Sequence, residues 1–255
     1  MKRYFKGFFM SWGMFCAIPI PHKDWDESCT NLIIPFFPVV GLFIGLLWYG
    51  SSILLHLAGL RTMMLSAFLM LFPYVITGFL HVDGFMDTSD AILSYRPLEE
   101  KLKILKDPHT GAFAVVSVLA LFVICFACAY EIASDTALDI GKLRFLVLMP
   151  VISRSLTGLA LLSLKVIPQS GYGSYFKKNT KTVHNISLVL TGFSAVAAMC
   201  FLSVGRGLIV ATAMISGFFL SILWAYRQLG GISGDISGYA LTVSEACGLI
   251  ALALI

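Results

Sequence analysis

The residues best suited to catalysis are three aspartates, Asp83, Asp87 and Asp90, which stand within eight positions of one another. They follow the apolar run 62–80, and carboxylates beside a membrane segment are costly unless they have a partner. In an α-helix, which turns about 100° per residue, all three would share one narrow face and repel one another. Mg²⁺ relieves such repulsion and bridges carboxylates to a substrate phosphate. The spacing predicts a magnesium site that handles phosphate; the alternative is a solvated loop that caps a membrane helix.

A basic loop, 101–111, follows the aspartates. Lys106 and His109 could neutralise phosphates there, and Asp107 could add a metal ligand or a base. Basic residues are also expected on any cytoplasmic loop of a membrane protein. The functional and the topological interpretation both stay open for this loop.

Two charged residues interrupt apolar segments. Arg154 lies near the middle of 145–164, and Glu245 lies within 238–255. A buried guanidinium needs a carboxylate or phosphate partner, and a carboxylate in an apolar segment needs a partner as well. For Arg154, a functional and a purely structural pairing are both open.

A glycine-rich loop before the last apolar segment is the other candidate binding element. It has four glycines in nine residues, namely Gly230, Gly231, Gly234 and Gly238. Such a loop before a helix resembles a backbone cradle for an anion, although a tight interhelical turn uses the same residues. Asp235 within it could hold a metal or a sugar hydroxyl. In the acidic run, Gly84 would let a phosphate or sugar approach the backbone.

The elements that must position these residues are membrane helices. Hydrophobic residues make up 58% of the 255-residue chain and charged residues 13%, with a mean hydropathy of +0.87. Soluble domains carry about 25% charged residues, and no apolar stretch shows the period-2 alternation of a membrane strand. We therefore expect one all-α, polytopic membrane domain over 1–255. About seven spans are predicted, within 28–60 (the helix beginning near Phe36), 62–80, 112–130, 145–164, 186–204, 207–226 and 238–255.

The segment 4–20 is left over from these spans. Lys2, Arg3 and Lys6 flank its apolar run as in a signal peptide, but it lacks a small-x-small cleavage site and ends in Pro19-Ile20-Pro21. We expect an uncleaved helix within an N-terminal interfacial segment, 1–31. In the first span, the spacing of Gly41 and Gly45 predicts a close helix contact.

The loop charges predict the orientation. Residues 1–31, 81–111, 165–185 and 227–239 hold 13 lysines and arginines, against 4 on the opposite side. By the positive-inside rule these four segments face the cytoplasm, and 81–111 becomes a cytoplasmic active-site loop. The net charge of +4 is accounted for by cations at the ends of apolar segments, so it does not indicate binding to nucleic acid.

The acidic run from Gly78 to Asp90 resembles the acidic motif of cobalamin synthases, the adenosylcobinamide-GDP ribazoletransferases. Four further stretches of the chain match the family, and all five occur in the family's order. The resemblance therefore covers nearly the whole chain. The four stretches are F-P-V-V-G at 37–41, K-D-P-H-T-G at 106–111, S-R at 153–154, and G-G-I-S-G-D at 230–235 with Glu245.

The chain departs from the family pattern at three places. Ala91 stands where a glycine is usual, and Pro108 stands where a serine is usual. Cys16 and Ala17 occupy positions where Thr-Arg is common. The missing arginine argues against a phosphate contact from that position but leaves the acidic motif intact.

The resemblance implies the final step of cobalamin nucleotide-loop assembly. Adenosylcobinamide-GDP would react with α-ribazole or its 5′-phosphate, giving adenosylcobalamin or its phosphate and GMP. We expect Mg²⁺ as cofactor, held by Asp83, Asp87 and Asp90, with Asp83 or Asp87 as general base. The catalytic residues expected are His81, Asp83, Asp87, Lys106, Asp107, His109 and Arg154. The substrate-binding residues expected are Gly84, Gly111, Gly231, Gly234, Asp235 and Glu245.

Two other functions compete with this interpretation. A CDP-alcohol phosphotransferase also has an acidic D-G motif, but it expects D-G-x-x-A-R and a final D-x-x-x-D, whereas Asp87 and Asp90 are separated by two residues. A cation-coupled transporter would place its acids near the bilayer midplane rather than beside a basic loop.

We expect the cell inner membrane as the location, with the active site facing the cytoplasm. The expected partners are the two small-molecule substrates and membrane lipid, without nucleic acid. Formation of a homo-oligomer stays open.

Overall fold

The structure is a computed structural model that describes residues 2–20, 25–134, 140–167, 176 and 180–255. A 3₁₀ turn, Glu27–Leu32, precedes the second helix. The helices of the described part, in chain order, are α1 (Lys2–Phe15), α2 (Ile33–Leu57), α3 (Thr62–Ile76), α4 (Leu80–Leu93), α5 (Leu98–Ile104), α6 (Ala112–Ser134), α7 (Ile140–Leu143), α8 (Phe145–Ser163), α9 (Thr182–Leu202), α10 (Val204–Leu229) and α11 (Gly234–Ala253). The predicted all-α fold is confirmed. The predicted loop 165–185 lies mostly outside the described residues.

The apolar helices are those of a polytopic membrane protein. Among the described residues, six stretches are long and apolar enough to cross a membrane: the 3₁₀ turn with α2, then α6, α7 with α8, α9, α10 and α11. Helices α3 and α4 meet the same criterion only as a pair bent by 88°. The expectation of about seven spans is therefore confirmed as six, or seven with the bent pair. With 14 residues, α4 is about 21 Å long, too short to cross a ~30 Å core by itself.

The bend between α3 and α4 divides the region where one continuous span, 62–80, was expected. Gly78 and Phe79 both have a φ of 61°, a left-handed conformation that ends the helix. The backbone N–H of Ala17 donates to the Ile76 carbonyl at 2.8 Å, so the segment after α1 is attached at the bend. The following segment, 81–111, expected as a loop, consists mainly of α4 and α5.

Helix α1 packs against the 3₁₀ turn and against the helix α2 that follows it. Lys6 forms an ion pair of 2.9 Å with Asp26, and a Cβ at Gly7 would lie 2.6 Å from that of Leu32. The helix ends at Phe15, earlier than the expected 4–20 segment, and α2 begins at Ile33 rather than near Phe36. The interfacial placement of α1 stays a prediction, and Pro21 lies outside the described residues.

The centre of the bundle is formed by α8 and α11. In each, 78% of the most apolar 18 residues are buried, against 17% in α6 and α9, whose large apolar side chains face outward. Helix α2 packs on α8, since a Cβ at Gly41 would lie 2.5 Å from the Pro150 carbonyl oxygen and one at Gly45 would overlap Val147. The predicted helix contact at Gly41 and Gly45 is confirmed.

Helix α4 lies against the first half of α11 through two glycines. A Cβ at Gly84 would lie 2.7 Å from the carbonyl oxygen of Asp235, and one at Gly238 would lie 3.1 Å from that of His81. Thr242 also donates from its hydroxyl to the His81 carbonyl at 3.2 Å. The small residues bring the two backbones into contact and place the acidic face of α4 beside the start of α11.

Candidate active site

Two carboxylates from distant parts of the sequence meet where α4 and α11 begin. Asp83 is in the first turn of α4, and Asp235 is in the first turn of α11, which Ser233 caps by accepting from the Ile236 N–H at 3.2 Å. Both aspartates line the same cavity. Because helix N-termini carry partial positive charge, this corner of the cavity suits the phosphates of a substrate.

Asp87 lies one turn beyond Asp83 on α4 and is half-buried. Burial raises the pKa of its carboxyl from 3.8 to about 7. Repulsion from Asp83, Asp235 and Asp90 contributes to this rise in the pKa, in that order. A proton or a cation would relieve this crowding of negative charge. The predicted helix is present and carries the three motif carboxylates, and Asp235 of α11 approaches Asp83 and Asp87.

Asp90 faces a different neighbour from the other two motif aspartates. Its carboxylate accepts a hydrogen bond from the Ala114 N–H at 3.3 Å, at the start of α6. It also lies directly against Gly111, where any side chain would collide with it. The structure thus gives Gly111 a packing role beside Asp90, and Asp90 stabilises the N-terminus of α6.

The carboxylates of this corner fit a magnesium ion that is shared with a substrate. Their oxygens are the ligands that Mg²⁺ prefers. Among the residues that the structure describes, no three His, Cys, Asp or Glu side chains are gathered closely enough to enclose a metal ion. An ion held by one or two carboxylates and completed by substrate phosphates needs no such enclosure.

The cavity beside the carboxylates has a volume of about 310 Å³, and Asp83 and Asp235 are its acidic lining residues. Its exposed lining residues are Leu80, Asp83 and Gly234, which form the mouth. The remaining wall is mostly apolar and buried, and it comprises Met14, Phe15, Phe37, His81, Thr157, Leu161, Phe176 and Ser237, with Asp235 near the mouth.

The basic loop is exposed near the Asp90 end of α4. Asp107 accepts from the His109 N–H at 2.9 Å and pairs with His109 Nδ1 at 2.7 Å. These hydrogen bonds lower the pKa of the Asp107 carboxyl. Lys106 is exposed, and the loop leads into Gly111 beside Asp90. Its three candidate residues are therefore accessible to a large substrate.

Arg154 and Glu245 are partners of one another in the centre of the bundle. The guanidinium Nη1 donates to Glu245 Oε1 at 2.8 Å, and Ser153 donates to the same oxygen at 2.7 Å. Arg154 is 1% exposed, and its guanidinium also lies 5.4 Å from the centre of the Phe37 ring. This pair joins α8 to α11, and neither residue lines the cavity.

The first half of the glycine-rich loop forms a tight turn. Gly230, with a φ of 73°, ends α10 and donates to the Tyr226 carbonyl at 2.9 Å. Ile232 donates to the Lys165 carbonyl at 2.8 Å, and a Cβ at Gly231 would lie 3.0 Å from that oxygen. A side chain at Gly231 would therefore be crowded, as in the interhelical turn that was the alternative to an anion cradle.

The second half of this loop reaches the site. Gly234 lines the cavity, and a Cβ there would meet nothing within 4 Å. Of the loop residues expected to bind substrate, Gly234 and Asp235 are therefore the two that face the cavity.

Several cavity residues escaped the sequence analysis because they carry no charge. These are Phe15, Thr157, Leu161 and Phe176. One signal was available, since Thr157 lies one helical turn after Arg154 on the same helix. The aromatic pair of Phe15 and Phe37, whose centres are 4.0 Å apart, depends on the packing of α1 on α2 and has no local signature.

Fold and site together define a helical membrane protein with a cavity that two aspartates line at the start of two helices. Comparison with known proteins identifies one family: a family model described as cobalamin-5-phosphate synthase matches residues 7–253. The chain belongs to this family, which confirms the resemblance drawn from the motifs. No solved structure matches the chain.

Relatives match along the full length. An adenosylcobinamide-GDP ribazoletransferase of Clostridium perfringens strain SM101 is 38% identical, and the match covers 100% of both chains. One of Clostridium botulinum strain Alaska E43 is 37% identical, over 100% of this chain and 99% of the relative. One of Geobacillus sp. strain WCH70 is 31% identical, over 93% and 91%.

Proposed function

We propose that this protein transfers the adenosylcobinamide phosphate group of adenosylcobinamide-GDP to α-ribazole or its 5′-phosphate. The products are adenosylcobalamin or its phosphate and GMP. The observation that carries the proposal is the meeting of Asp83 and Asp235 at the start of two helices, on one cavity. The relatives that match over the whole chain carry the name of this activity.

The reaction exchanges one phosphorus–oxygen bond for another. A ribose hydroxyl of ribazole attacks the phosphorus nearest to cobinamide, and the bond from that phosphorus to the bridging oxygen breaks. GMP leaves with the electron pair of that bond. Asp83, exposed at the mouth of the cavity, accepts the hydroxyl proton, with Asp87 as the other candidate base.

One or two of the carboxylates of Asp83, Asp87 and Asp235 would hold the Mg²⁺, and substrate phosphates would complete its ligands. When bound, the ion takes up negative charge on the pyrophosphate as GMP departs. The first turns of α4 and α11 favour the same phosphates through their helix dipoles. The carboxylates therefore attract the metal, and the two helix termini orient the group that reacts.

Lys106 and His109 would bind the phosphate of the GDP moiety that leaves with GMP. Their exposed loop precedes Gly111, which contacts Asp90 beside the acidic corner. Arg154 has a carboxylate partner in Glu245, so we assign it to the support of α8 and α11 rather than to phosphate.

The active site would face the cytoplasm from the inner membrane, with lipid around the outer helices. The excess of 13 lysines and arginines over 4 supports this orientation. The nucleotide and Mg²⁺ are then supplied from the same side.

The test is GMP release by the purified full chain from adenosylcobinamide-GDP, with and without α-ribazole 5′-phosphate and Mg²⁺. We expect release only when both are present. Release without ribazole would indicate hydrolysis. No release by a folded protein, or activity on CDP-alcohols instead, would refute the proposal.

A further inference from the structure

The cavity extends well beyond the carboxylates at its mouth. Its most buried lining residues, Phe37, Thr157 and Leu161, are each at most 4% exposed. The proposed phosphoryl transfer takes place at Asp83 and Asp235. It does not use the apolar part of the cavity. Pockets that bind small organic ligands have this character, apolar with a few polar groups that fix the orientation.

One polar atom deep in this wall lacks a partner. His81 is 7% exposed and lines the cavity, and its Nε2 has no hydrogen-bond partner within the described part of the chain. Its ring lies 6.3 Å from that of Phe15, nearly parallel, and 5.8 Å from that of Phe37. Buried nitrogens are rarely left without a partner, so a ligand in the cavity is the natural source of one.

We propose that this cavity binds the aromatic base of the nucleoside acceptor, with His81 as the residue that positions it. The inference rests on the proposed function and identifies where one of its two substrates lies. The base would pack between the walls formed by Phe15, Phe37 and Leu161, and its ribose would extend to Asp83 at the mouth.

The chemistry of the wall favours this base over the guanine of the other substrate. A benzimidazole riboside has one free ring nitrogen and otherwise apolar edges, which matches the single unpaired Nε2 of His81. Guanine presents several donors and acceptors along its edges. The hydroxyl of Thr157 already donates to the Ser153 carbonyl at 2.8 Å, so the floor has few groups to satisfy them.

The first test changes the size of the cavity floor. In Leu161→Phe we expect kcat/KM for the dimethylated riboside, α-ribazole, to fall about tenfold relative to the unmethylated benzimidazole riboside, because the methyl groups lose their space. Leu148→Phe is the matched control: it is the same substitution on the same helix, in another apolar cleft with Arg144 and Phe201. It should leave the preference unchanged.

The second test concerns the unpaired nitrogen. In His81→Leu we expect the KM for α-ribazole to rise about tenfold. The KM for adenosylcobinamide-GDP and kcat should change less than about threefold. His81→Gln, which keeps an N–H donor, should recover part of the loss. A merely structural His81 would change all these constants together.

A third measurement needs no variant and decides the matter if the variants do not fold. Free 5,6-dimethylbenzimidazole should inhibit the wild-type protein in competition with α-ribazole but not with adenosylcobinamide-GDP. Absence of this competition would overturn the assignment, as would an unchanged base preference in Leu161→Phe. Relief of inhibition by added phospholipid would assign the cavity to an acyl chain instead. Since GMP release is measured throughout, these failures are distinct from failure of the proposed function.

Discussion

Helix α11 carries two carboxylates in opposite situations. Asp235, in the first turn, lines a cavity together with Asp83, and no cationic side chain among the described residues lines that cavity. Glu245, in the middle of the same helix, accepts from both Arg154 and Ser153 and is closed to solvent.

The difference shows which charges in a membrane bundle carry chemistry. A charge buried with its counter-charge is neutralised by the fold, and neither Arg154 nor Glu245 lines the cavity. A group of like charges at the edge of a cavity is incomplete without a cation and a ligand. We therefore expect substitutions at the two places to affect different properties, turnover at the first and stability at the second.

The largest effect should come from Asp83→Asn. It removes the proposed base and one metal ligand, so GMP release should fall by about 10³-fold or more. Because Asp83 is exposed, the protein should remain folded, as judged by its thermal unfolding midpoint. Glu100→Gln, at an exposed carboxylate that pairs with Arg96, is the control and should keep full activity. Near-normal turnover in Asp83→Asn would remove the distinction between the two regions.

At the second place we expect a loss of stability. Arg154→Met leaves Glu245 buried without its partner, at a cost of about 3–5 kcal/mol in the free energy of unfolding. Combining it with Glu245→Met removes both charges and should recover most of that loss. The free energy of unfolding of both variants can be measured by denaturation of the protein purified in mild detergent. Equal destabilisation by the single and the double variant would show that the pair is not coupled.

Disturbing the contact between α4 and α11 should have an effect of intermediate size. Gly84→Ala places a Cβ 2.7 Å from the Asp235 carbonyl oxygen, so the two first turns must separate. Misplacement of reacting groups by about 1 Å costs on the order of 100-fold, which we expect in kcat. Gly50→Ala, where a Cβ meets nothing within 4 Å, is the control. An unaffected Gly84→Ala would show that the first turns need not be so close.

The smallest effect should come from the exposed basic loop. Lys106→Ala should raise the KM for adenosylcobinamide-GDP by about three- to tenfold and reduce its dependence on salt, since exposed charges are screened. Steady-state kinetics at two salt concentrations would measure this. A loss as large as that in Asp83→Asn would move the centre of the reaction to the loop.

Features of the fold and the site could be predicted from the sequence where they depend on residues close together in the chain. The helical face of Asp83, Asp87 and Asp90, the apolar spans and the family motifs are local patterns, and the structure and the comparisons confirm the helix, the fold class and the family. The addition of Asp235 to the aspartates depends on the approach of α4 to α11 and has no local signature.

The sequence likewise did not show which residues pair in the centre of the bundle. Arg154 and Glu245 each required a partner, but only the packing of α8 on α11 shows that they satisfy one another. The bend at Gly78 and Phe79 was missed because an apolar run does not reveal two left-handed residues, one of them not a glycine.

The most direct test of the central claim is metal binding at the acidic corner. Mn²⁺, as a magnetic substitute for Mg²⁺, can be titrated by electron paramagnetic resonance into the purified full chain with adenosylcobinamide-GDP present. We expect bound Mn²⁺ in the wild type and in Glu100→Gln, and a loss of at least about tenfold in affinity in Asp83→Asn and in Asp235→Asn. Equal affinity in all four proteins would contradict the account, because the metal would then lie away from the corner where α4 and α11 meet.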